Sequence, residues 1–294
     1  MMSTTNFNNK YMNKCIYCSS ISTVFFIKVN SWNIRKCLNC SVLYTEGEGK
    51  KDKKINLDTY DYSYIKGYKH RKNELQKRFL SLLNHIEKNK NGGRLLDIGC
   101  GLGLFMETAM KKSSYNWDVH GLEINKRLLD NAFNDIKKRI KSGNIENIPF
   151  GSNYFDCVTC FDVLEHSKSL KHNLDEISRV LKKDGILVIQ SPNYKSLMAM
   201  ISKEKWSWWS PPDHIFHFSS SFMINLLKAK WYEVLEAFTY EPPKEFLLDV
   251  KRRFARNLVQ KIVIRLIQPL LLTIERISWF FNRGGLLFIV VKKI

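Results

Sequence analysis

Residues 95–105 constrain the fold of this chain more than any other segment. They read Leu-Leu-Asp-Ile-Gly-Cys-Gly-Leu-Gly-Leu-Phe, an apolar run that turns through three closely spaced glycines and then begins a helical pattern. Glycine lacks a Cβ and tolerates positive φ, so a buried strand that ends in this way brings its backbone within contact distance of a ligand. The segment predicts a strand, a turn and a helix that together bind a nucleotide-like molecule.

The glycine spacing excludes one class of nucleotide site. A dinucleotide fingerprint needs Gly-x-Gly-x-x-Gly. This chain instead has Gly99, Gly101 and Gly103, with Asp97 two residues ahead of the first glycine. Twenty residues after the last glycine, a strand-like segment ends in Glu123. An acidic residue at that position of a βαβ unit accepts hydrogen bonds from ribose hydroxyls. The pattern therefore favours a nucleoside ligand without a diphosphate.

The segment 97–103 resembles the first motif of class I S-adenosylmethionine-dependent methyltransferases. The resemblance continues in family order through an adenine-side loop at 143–150, a fourth strand at 155–160, a post-strand motif at 163–166 and a fifth strand at 180–189. It implies an α/β fold with a Rossmann-like, doubly wound, seven-stranded sheet whose last strand is antiparallel. It also implies that S-adenosylmethionine is the cofactor.

The same resemblance assigns the cofactor site to particular positions. The predicted cofactor-binding residues are Asp97, Gly99, Cys100, Gly101, Gly103, Glu123, Ile124, Asn144, Ile145, Phe161 and Asp162. Asn144 stands where members of the family usually carry a carboxylate, so the adenine contact at this position departs from the family's pattern. Taken singly, a glycine turn or an acidic strand end is more often purely structural. It is their occurrence together and in order that supports the site.

Four cysteines near the start of the chain form a second motif. They are Cys15, Cys18, Cys37 and Cys40, two Cys-x2-Cys knuckles separated by eighteen residues. Segments 24–29 and 32–36 are readable as strands between the knuckles. Four thiolates at this spacing can surround one structural Zn²⁺ ion; unliganded thiols are the alternative. Zinc ribbons often place Gly directly after a knuckle, whereas this chain has Ser19 and Ser41.

A charged segment of low hydrophobicity at 46–56 marks the expected domain boundary. We therefore predict a zinc-ribbon-like module with its linker at 1–56 and an S-adenosylmethionine-binding domain at 57–294. Within the second domain, 195–230 is predicted as a lid region on the acceptor side. Residues 243–283 are predicted as an amphipathic helical insertion before the last strand.

A tyrosine-rich segment follows the boundary. It contains Tyr60, Tyr62, Tyr64 and Tyr68 and leads into a predicted helix from about Lys69 to Lys88. Related methyltransferases carry a similar entry segment that folds over the cofactor. The alternative is a helix that packs on the sheet and leaves its tyrosines exposed.

Two segments are candidates for the acceptor side of the site. Methyl transfer from a sulfonium is an in-line displacement, so the enzyme aligns the nucleophile and in some cases removes a proton. The first candidate is Asp162-x-x-Glu165-His166, which follows the fourth strand. It is similar to the Glu-x-x-Glu-His segment of ubiquinone-pathway O-methyltransferases, which is associated with a divalent ion. The resemblance implies Mg²⁺ near these three residues, and Asp in the first position argues against it. A purely structural role for Glu165 and His166 is the alternative.

The second candidate is the segment 206–219, which combines aromatic residues, a Pro-Pro turn and two histidines. It resembles the Trp...Pro-x-His-x-x-x-Phe-Ser segment of methyltransferases found with glycan and cell-surface polysaccharide biosynthesis. We expect its aromatic rings to stack on a sugar or another ring. His214 is the predicted general base, since imidazole titrates near neutral pH, and His166 is the second predicted catalytic residue. A lid that only packs over the site is the alternative.

The segment 251–281 has a helical period with a predicted kink at Pro269. Its polar positions are Arg253, Arg256, Gln260, Lys261, Arg265, Gln268 and Glu275. Its apolar positions are Phe254, Leu258, Ile262, Leu266, Leu270, Ile274 and Ile277. It lies between a sixth strand near 232–240 and a last strand at 286–291. A basic amphipathic helix can bind an anionic membrane surface through 251–283; a dimer interface or packing on the domain's own core are the alternatives.

The net charge of +19 favours acidic partners, although a chain rich in Lys, Asn and Ile also fits AT-rich coding. The first fourteen residues lack the apolar core of a secretory signal, so we expect a cytoplasmic protein, with the inner face of a membrane as an alternative place of action.

The predicted function is methyl transfer to a small-molecule or glycan acceptor, including a nucleotide- or lipid-linked sugar. RNA methylation is disfavoured because no Asn-Pro-Pro-Tyr-type motif is present. A non-catalytic nucleic-acid or membrane-binding module is the remaining alternative.

Overall fold

A computed structural model describes residues 14–46, 61–255 and 257–294. The strands are β1 Thr23–Val29, β2 Trp32–Cys37, β3 Leu43–Glu46, β4 Gly93–Ile98, β5 Trp117–Glu123, β6 Ile140–Ser142, β7 Phe155–Phe161, β8 Leu181–Pro192, β9 Phe216–His217, β10 Tyr232–Tyr240 and β11 Leu286–Lys293. The helices are α1 Tyr62–His70, α2 Lys72–Glu87, α3 Leu104–Lys112, α4 Lys126–Asp130, α5 Asn134–Lys137, α6 Leu170–Val180, α7 Leu197–Ser202, α8 Ser220–Ala229, α9 Pro243–Phe254, α10 Leu258–Leu266 and α11 Gln268–Phe280. Apart from Glu46, the predicted linker 46–56 lies outside the described residues, as do Tyr60 and Arg256.

The larger sheet has seven strands in the order β10-β11-β8-β7-β4-β5-β6. Strands β4 to β8 pair in parallel, and β11 runs antiparallel to both β8 and β10. This confirms the predicted α/β sheet and its antiparallel last strand. The carboxyl ends of β4, β5 and β7 meet at one edge, which is where open α/β sheets bind ligands.

Helices cover both faces of this sheet, which explains why β4 is a continuous apolar run rather than an alternating one. Leu95 of β4 faces a buried cluster that includes Leu83 of α2 and Phe105 of α3. The next residue, Leu96, faces the opposite cluster, which includes Ile177 of α6. Because successive side chains of a strand point to opposite faces, both faces of the sheet are buried in core.

The smaller sheet has the order β1-β2-β3-β9, and it joins the amino-terminal module to the rest of the protein. Strands β1 and β2 confirm the two strands predicted between the cysteine knuckles. The fourth strand, β9, comes from the predicted lid region and pairs with β3 through Leu43↔His217 and Tyr44↔Phe216. Tyr44 also shares a buried cluster with Phe216. The amino-terminal module therefore completes its sheet with a strand from the acceptor-side segment.

Two helix predictions were wrong at their boundaries. The helix expected at about 69–88 is two helices, α1 and α2, that meet at Arg71. The earlier start follows from Asp61, whose side chain accepts a hydrogen bond from the Tyr64 N–H and caps α1. The Arg71 side chain reaches Glu74 and Glu245, which ties this break to the start of α9.

The predicted kinked helix at 251–281 is instead three helices, α9, α10 and α11. Asn257 caps α10 by accepting a hydrogen bond from the Gln260 N–H, so a new helix begins there. Pro269 lies in the first turn of α11. Proline has no N–H to donate and is tolerated at that place, so it begins a helix here and does not kink one. No helix within 14–46, 61–255 and 257–294 is long and apolar enough to cross a membrane.

Candidate functional site

The glycine turn after β4 is packed on one side and open on the other. Gly99, Gly101 and Gly103 all have positive φ, at 70°, 57° and 82°. A Cβ on Gly99 would lie 2.4 Å from Cγ2 of Val163, whereas a Cβ on Gly101 would meet no described atom within 4 Å. A ligand can therefore approach the backbone closely at Gly101.

Glu123, at the end of β5, lies next to this turn. One carboxylate oxygen accepts a hydrogen bond from the Gly101 N–H at 2.8 Å, and the other accepts from the Asn125 N–H at 2.8 Å. Burial raises the pKa of Glu123, and these backbone hydrogen bonds oppose that rise. Carboxylate oxygens have further lone pairs, so the group can accept additional hydrogen bonds from a ligand.

Asp97 lies buried on β4 beneath the same turn. Its Oδ1 accepts a hydrogen bond from the Thr159 hydroxyl at 2.7 Å. Burial raises the pKa of Asp97 to about 7, and the negative charge of Glu123 adds to the rise. Thr159 is not among the site residues predicted from the sequence, although a threonine within the apolar run of β7 is a sign of a buried hydrogen bond.

The other predicted cofactor residues lie around the same sheet edge. Cys100 is buried, and burial raises the pKa of its thiol well above the usual value. Ile124 is exposed just after β5. Asn144 caps a turn, since its Oδ1 accepts hydrogen bonds from the N–H groups of Glu146 and Asn147. Ile145 packs against the core cluster of α6, and Phe161 contacts the ring of Phe105 edge-on at 5.0 Å.

Helix α1 brings tyrosines to this edge of the sheet. Burial raises the pKa of Tyr64 to about 12, and the charges of Asp162 and Glu123 contribute. Burial also raises the pKa of Tyr68, with contributions from Tyr64 and then Asp97. The two phenols are therefore within electrostatic range of the predicted cofactor residues.

Asp162 follows β7 in a left-handed conformation, with φ of 56°. Its Oδ2 accepts a hydrogen bond from Nε2 of Gln190 at 2.8 Å, while Oδ1 is buried without a partner among the described residues. Gln190 in turn accepts from the Tyr240 hydroxyl, which also accepts from Nε of Arg78 at 3.3 Å. Burial raises the pKa of Asp162, and the Arg78 charge opposes the rise. Sequence reasoning missed this network; its one signal was a glutamine at the end of the apolar run of β8.

His166 and His214 meet edge to face, with ring centroids 4.7 Å apart. Nδ1 of His166 lies 2.8 Å from the carbonyl oxygen of Asp213, and Nδ1 of His214 lies 2.8 Å from that of Trp208. A carbonyl only accepts, so each Nδ1 carries the proton and donates. Each neutral ring therefore keeps a lone pair on Nε2.

Burial changes the acid–base chemistry of this pair. Burial, with a smaller contribution from the neighbouring His166, lowers the pKa of His214 to about 3. Burial also lowers the pKa of His166, where the Asp213 carbonyl opposes the shift. This low pKa departs from the titration near neutral pH that was expected of His214, because the charged imidazolium is poorly solvated when buried. Both imidazoles are neutral at pH 7, and His166 is the stronger base of the two.

Glu165 is buried beside the two histidines. Its Oε2 accepts a hydrogen bond from the Ser191 hydroxyl at 2.9 Å, and its Oε1 has no partner in the described part of the chain. Burial raises the pKa of Glu165 well above its usual range. Ligand atoms of Glu165, His166 and His214 lie within 4.8 Å of one another. Two imidazoles and one carboxylate do not fit Mg²⁺, which prefers oxygen ligands, and Asp162 is not in this group.

The four cysteines predicted to bind zinc come together. Sγ of Cys15 lies 3.7 Å from that of Cys40, and Sγ of Cys18 lies 3.6 Å from that of Cys37. Tetrahedral zinc with Zn–S bonds of about 2.3 Å requires S···S distances of about 3.8 Å, so the cluster fits Zn²⁺.

The residue after each knuckle takes the backbone conformation that glycine usually provides. Ser19 and Ser41 have φ of 59° and 65°. Their N–H groups donate to the carbonyls of Cys15 and Cys37 at 2.9 and 3.0 Å. The knuckle turns therefore form without glycine.

The amino-terminal module is tied directly to the histidine segment. The Thr45 N–H donates to the carbonyl of Ile215 at 2.9 Å, and the Ile215 N–H donates to the carbonyl of Glu165 at 2.7 Å. The backbone of Ile215 thus links β3 to the segment after β7. This connection was not visible in the sequence, because Thr45 lies about 170 positions and Glu165 about 50 positions from Ile215 along the chain.

Two of the three tryptophans in the segment 206–219 are not exposed for the predicted stacking, whereas Trp208 is half-buried. Trp206 and Trp209 are both buried and contact each other at 5.2 Å. They pack in a cluster with Phe246 and Val250 of α9. The helical insertion covers these rings, so they support the acceptor-side segment and are not available to stack on a ligand.

Comparisons with known proteins also indicate a methyltransferase domain. A family model described as a methyltransferase domain matches residues 68–237, more than half of the chain. An uncharacterized protein of Methanocaldococcus jannaschii is 36% identical over 136 residues, 46% of this chain and 57% of its own length. A ubiquinone biosynthesis O-methyltransferase of Coxiella burnetii is 28% identical over 118 residues, 38% of this chain and 49% of its own length. This chain therefore spans about half the length of these curated relatives. A SAM-dependent methyltransferase from Archaeoglobus fulgidus has a similar fold, with a TM-score of 0.55 and 23% identity over 79% of this chain and 100% of that one.

Proposed function

Because the chain belongs to the methyltransferase domain family, we propose that it transfers the methyl group of S-adenosylmethionine to a small-molecule or glycan acceptor. One observation carries the proposal: the open Gly101 backbone lies beside the Glu123 carboxylate at the ligand-binding edge of the sheet. The bound cofactor would supply an electrophilic methyl group on a positively charged sulfur.

The cofactor residues have distinct roles in this proposal. Glu123 accepts hydrogen bonds from the two ribose hydroxyls, for which its carboxylate is already oriented by backbone N–H groups. The open turn at Gly101 receives the methionine part of the ligand. Ile124, Asn144 and Ile145 border the adenine. Asp97 supports the turn from below. Phe161 and Asp162 lie where the cofactor side meets the acceptor side.

His166 and His214 serve the acceptor. Their Nδ1 protons are held by backbone carbonyls, so both Nε2 lone pairs remain able to accept a hydrogen bond or a proton from an acceptor group. His166 is the better proton acceptor because the pKa of His214 is about 3. His214 then orients the acceptor. Because alignment contributes much of the rate in such displacements, even small shifts of this pair would slow transfer.

The zinc-ribbon-like module positions the acceptor side. Its four-cysteine cluster would hold Zn²⁺, and its strand β3 fixes the segment that contains His214.

We further propose that the protein acts in the cytoplasm at an anionic membrane surface, through 251–283, on a nucleotide- or lipid-linked sugar. The exposure of the apolar positions of this segment favours a membrane over packing on the protein's own core.

Calorimetric titration with S-adenosylhomocysteine tests the cofactor site. We expect micromolar-range binding by the wild type and at least a tenfold loss in Glu123→Ala, because charge-assisted hydrogen bonds contribute about 1.5–3 kcal/mol. Asp118→Asn removes a carboxylate from the opposite, exposed end of β5 and should bind normally. Equal binding by wild type and Glu123→Ala would contradict the proposed site.

Transfer of a labelled methyl group tests the acceptor class. Wild type should label nucleotide- or lipid-linked sugars, and His166→Gln should lower kcat while leaving S-adenosylhomocysteine affinity unchanged. Labelling of RNA in place of sugars would favour RNA methylation. Tight cofactor-independent, salt-sensitive nucleic-acid binding without any transfer would favour a non-catalytic module.

A further inference from the structure

The helical insertion carries a cationic cleft on the surface. A cavity of about 550 Å³ opens between the end of α9, α10 and the start of α11. It is lined by Lys251, Arg252, Ala255, Lys261, Arg265 and Gln268. All four cations are exposed. Among the described residues, only Arg252 has a carboxylate within ion-pair distance, Asp249 at 3.7 Å. The cleft therefore holds three cations, Lys251, Lys261 and Arg265, that pair with no described carboxylate.

The surrounding segment adds to this charge. Residues 251–283 contain eight Lys and Arg residues and one acidic residue, Glu275. Glu275 is buried and accepts a hydrogen bond from the indole N–H of Trp279, so it does not oppose the cleft from the surface. Four cations around one concave site attract a compact, multiply hydrogen-bonding anion such as a phosphate group.

The three helices that border the cleft also expose apolar side chains, which together are called the apolar row. It consists of Phe254, Leu258, Ile262, Leu266, Leu270, Ile274 and Ile277, each between 44% and 75% exposed. On α10, Ile262 and Leu266 follow Lys261 and Arg265 by one position, which is about 100° around the helix axis. On α10 the apolar residues and the cations therefore lie side by side on the exposed part of the helix.

The opposite side of α10 already has its packing partner. Ile264 is buried in the cluster that contains Trp209 and Phe246. The helix is thus anchored through one face, while the apolar row remains in water on another. An amphipathic helix with basic and apolar ridges side by side is the arrangement that lies in a membrane interface.

We propose that the cationic cleft binds the phosphate group of an anionic phospholipid at a bilayer surface, with the apolar row inserted at the acyl boundary. This inference names the site for the membrane contact proposed above and does not depend on methyl transfer. Nucleic acid or free phosphate would use the cations and leave the apolar row in water. A symmetric dimer through the apolar row would bring the cations of both copies together, since a two-fold interface pairs the same surface on each.

Sedimentation with vesicles of phosphatidylcholine, with or without phosphatidylglycerol, tests the proposal on the full chain. We expect binding only when phosphatidylglycerol is present. Lys261→Ala/Arg265→Ala should weaken it roughly 30-fold, since each cation near an anionic surface strengthens binding about fivefold. Lys112→Ala/Lys171→Ala removes two exposed cations elsewhere and is the matched control. Ile262→Gln/Leu266→Gln, at two exposed positions, should also release the protein from the vesicles.

Several results would overturn the proposal. One is equal binding to both vesicle types, and another is equal weakening of vesicle binding by the control variant. A third is saturable binding of inorganic phosphate that prevents vesicle binding. The last is a wild-type protein that is a dimer and binds no vesicles, and that Ile262→Gln/Leu266→Gln converts to a monomer. Thermal melting of each variant reports folding independently of vesicle and cofactor binding. A wild-type protein that binds S-adenosylhomocysteine but no phosphatidylglycerol vesicles would refute this inference alone, whereas a wild-type protein that binds these vesicles but not S-adenosylhomocysteine would refute the proposed function alone.

Discussion

The Thr45 hydroxyl lies 2.7 Å from the carbonyl oxygen of His214 and donates a hydrogen bond to it. The same hydroxyl oxygen lies 3.0 Å from Nε2 of His217. Because the single hydroxyl proton is directed at the carbonyl, Nε2 of His217 must donate, which fixes the tautomer of this buried and neutral imidazole. One threonine of the amino-terminal module thus holds the backbone of a predicted acceptor-side residue.

Replacing the Thr45 hydroxyl should lower the rate of methyl transfer without changing the affinity for the cofactor. Thr45→Val leaves the His214 carbonyl and the His217 N–H buried without partners, at a cost of about 2 kcal/mol in the free energy of unfolding. We expect kcat to fall and S-adenosylhomocysteine affinity to remain unchanged. Thr273→Val, which removes an exposed hydroxyl bonded to the Pro269 carbonyl, should change neither. An unchanged kcat in folded Thr45→Val would show that the module does not position His214.

Zinc removal should loosen the same connection. Metal analysis should find one zinc per chain in wild type and none in Cys37→Ser. Chelation should lower the Tm and increase hydrogen exchange at the amides of Thr45 and Ile215, since both bonds depend on the position of β3. Cys157→Ala removes a buried thiol outside the cluster and should retain the metal. Zinc-free wild-type protein with unchanged exchange would contradict a structural metal.

Two neighbouring glycines should respond differently to alanine. Gly101→Ala meets no atom of the described residues, so it should cost only about 1–2 kcal/mol of left-handed backbone strain while it places a methyl group in the ligand space. We expect a folded protein with at least a tenfold loss of S-adenosylhomocysteine affinity. Gly99→Ala adds a clash with Val163 and should lower the Tm further.

Combining Val163→Ala with each glycine variant separates the clash at Gly99 from the loss of ligand space at Gly101. Val163→Ala should recover part of the stability lost in Gly99→Ala, because it removes the clashing methyl group, and should not rescue cofactor binding in Gly101→Ala. Normal affinity in Gly101→Ala would place the ligand elsewhere. Calorimetry and thermal melting provide both measurements.

Asp97 should make stability depend on pH near neutrality. Its folded pKa of about 7 lies above the unfolded value near 3.9, so between these values the folded state binds a proton that the unfolded state has released. Stability contributed by this group is present at acid pH and falls as pH rises from about 4 to 7, by up to about 1.4 kcal/mol per unit. The denaturant midpoint should change less between pH 5 and pH 8 in Asp97→Asn than in wild type. Parallel curves for the two proteins would contradict the raised pKa.

The sequence determined the parts of this protein that depend on local pattern. The apolar run into Gly99 identified β4, and the position of Glu123 identified the end of β5, because strand burial and turn chemistry are encoded by consecutive residues. The cysteine spacing predicted the cluster that the structure brings together, since each knuckle is a local turn. The antiparallel last strand followed from the resemblance to a known family, and the pairing of β11 with β8 confirmed it.

Tertiary structure decided what depends on residues far apart in the chain. The pairing of β3 with β9, the Arg78–Tyr240–Gln190–Asp162 network and the low pKa of His214 all arise from burial between distant segments. The same holds for the outward orientation of the apolar row, because helical periodicity shows that two faces differ but not which one meets the protein. Periodicity is a local property, whereas burial is decided by what packs against each face.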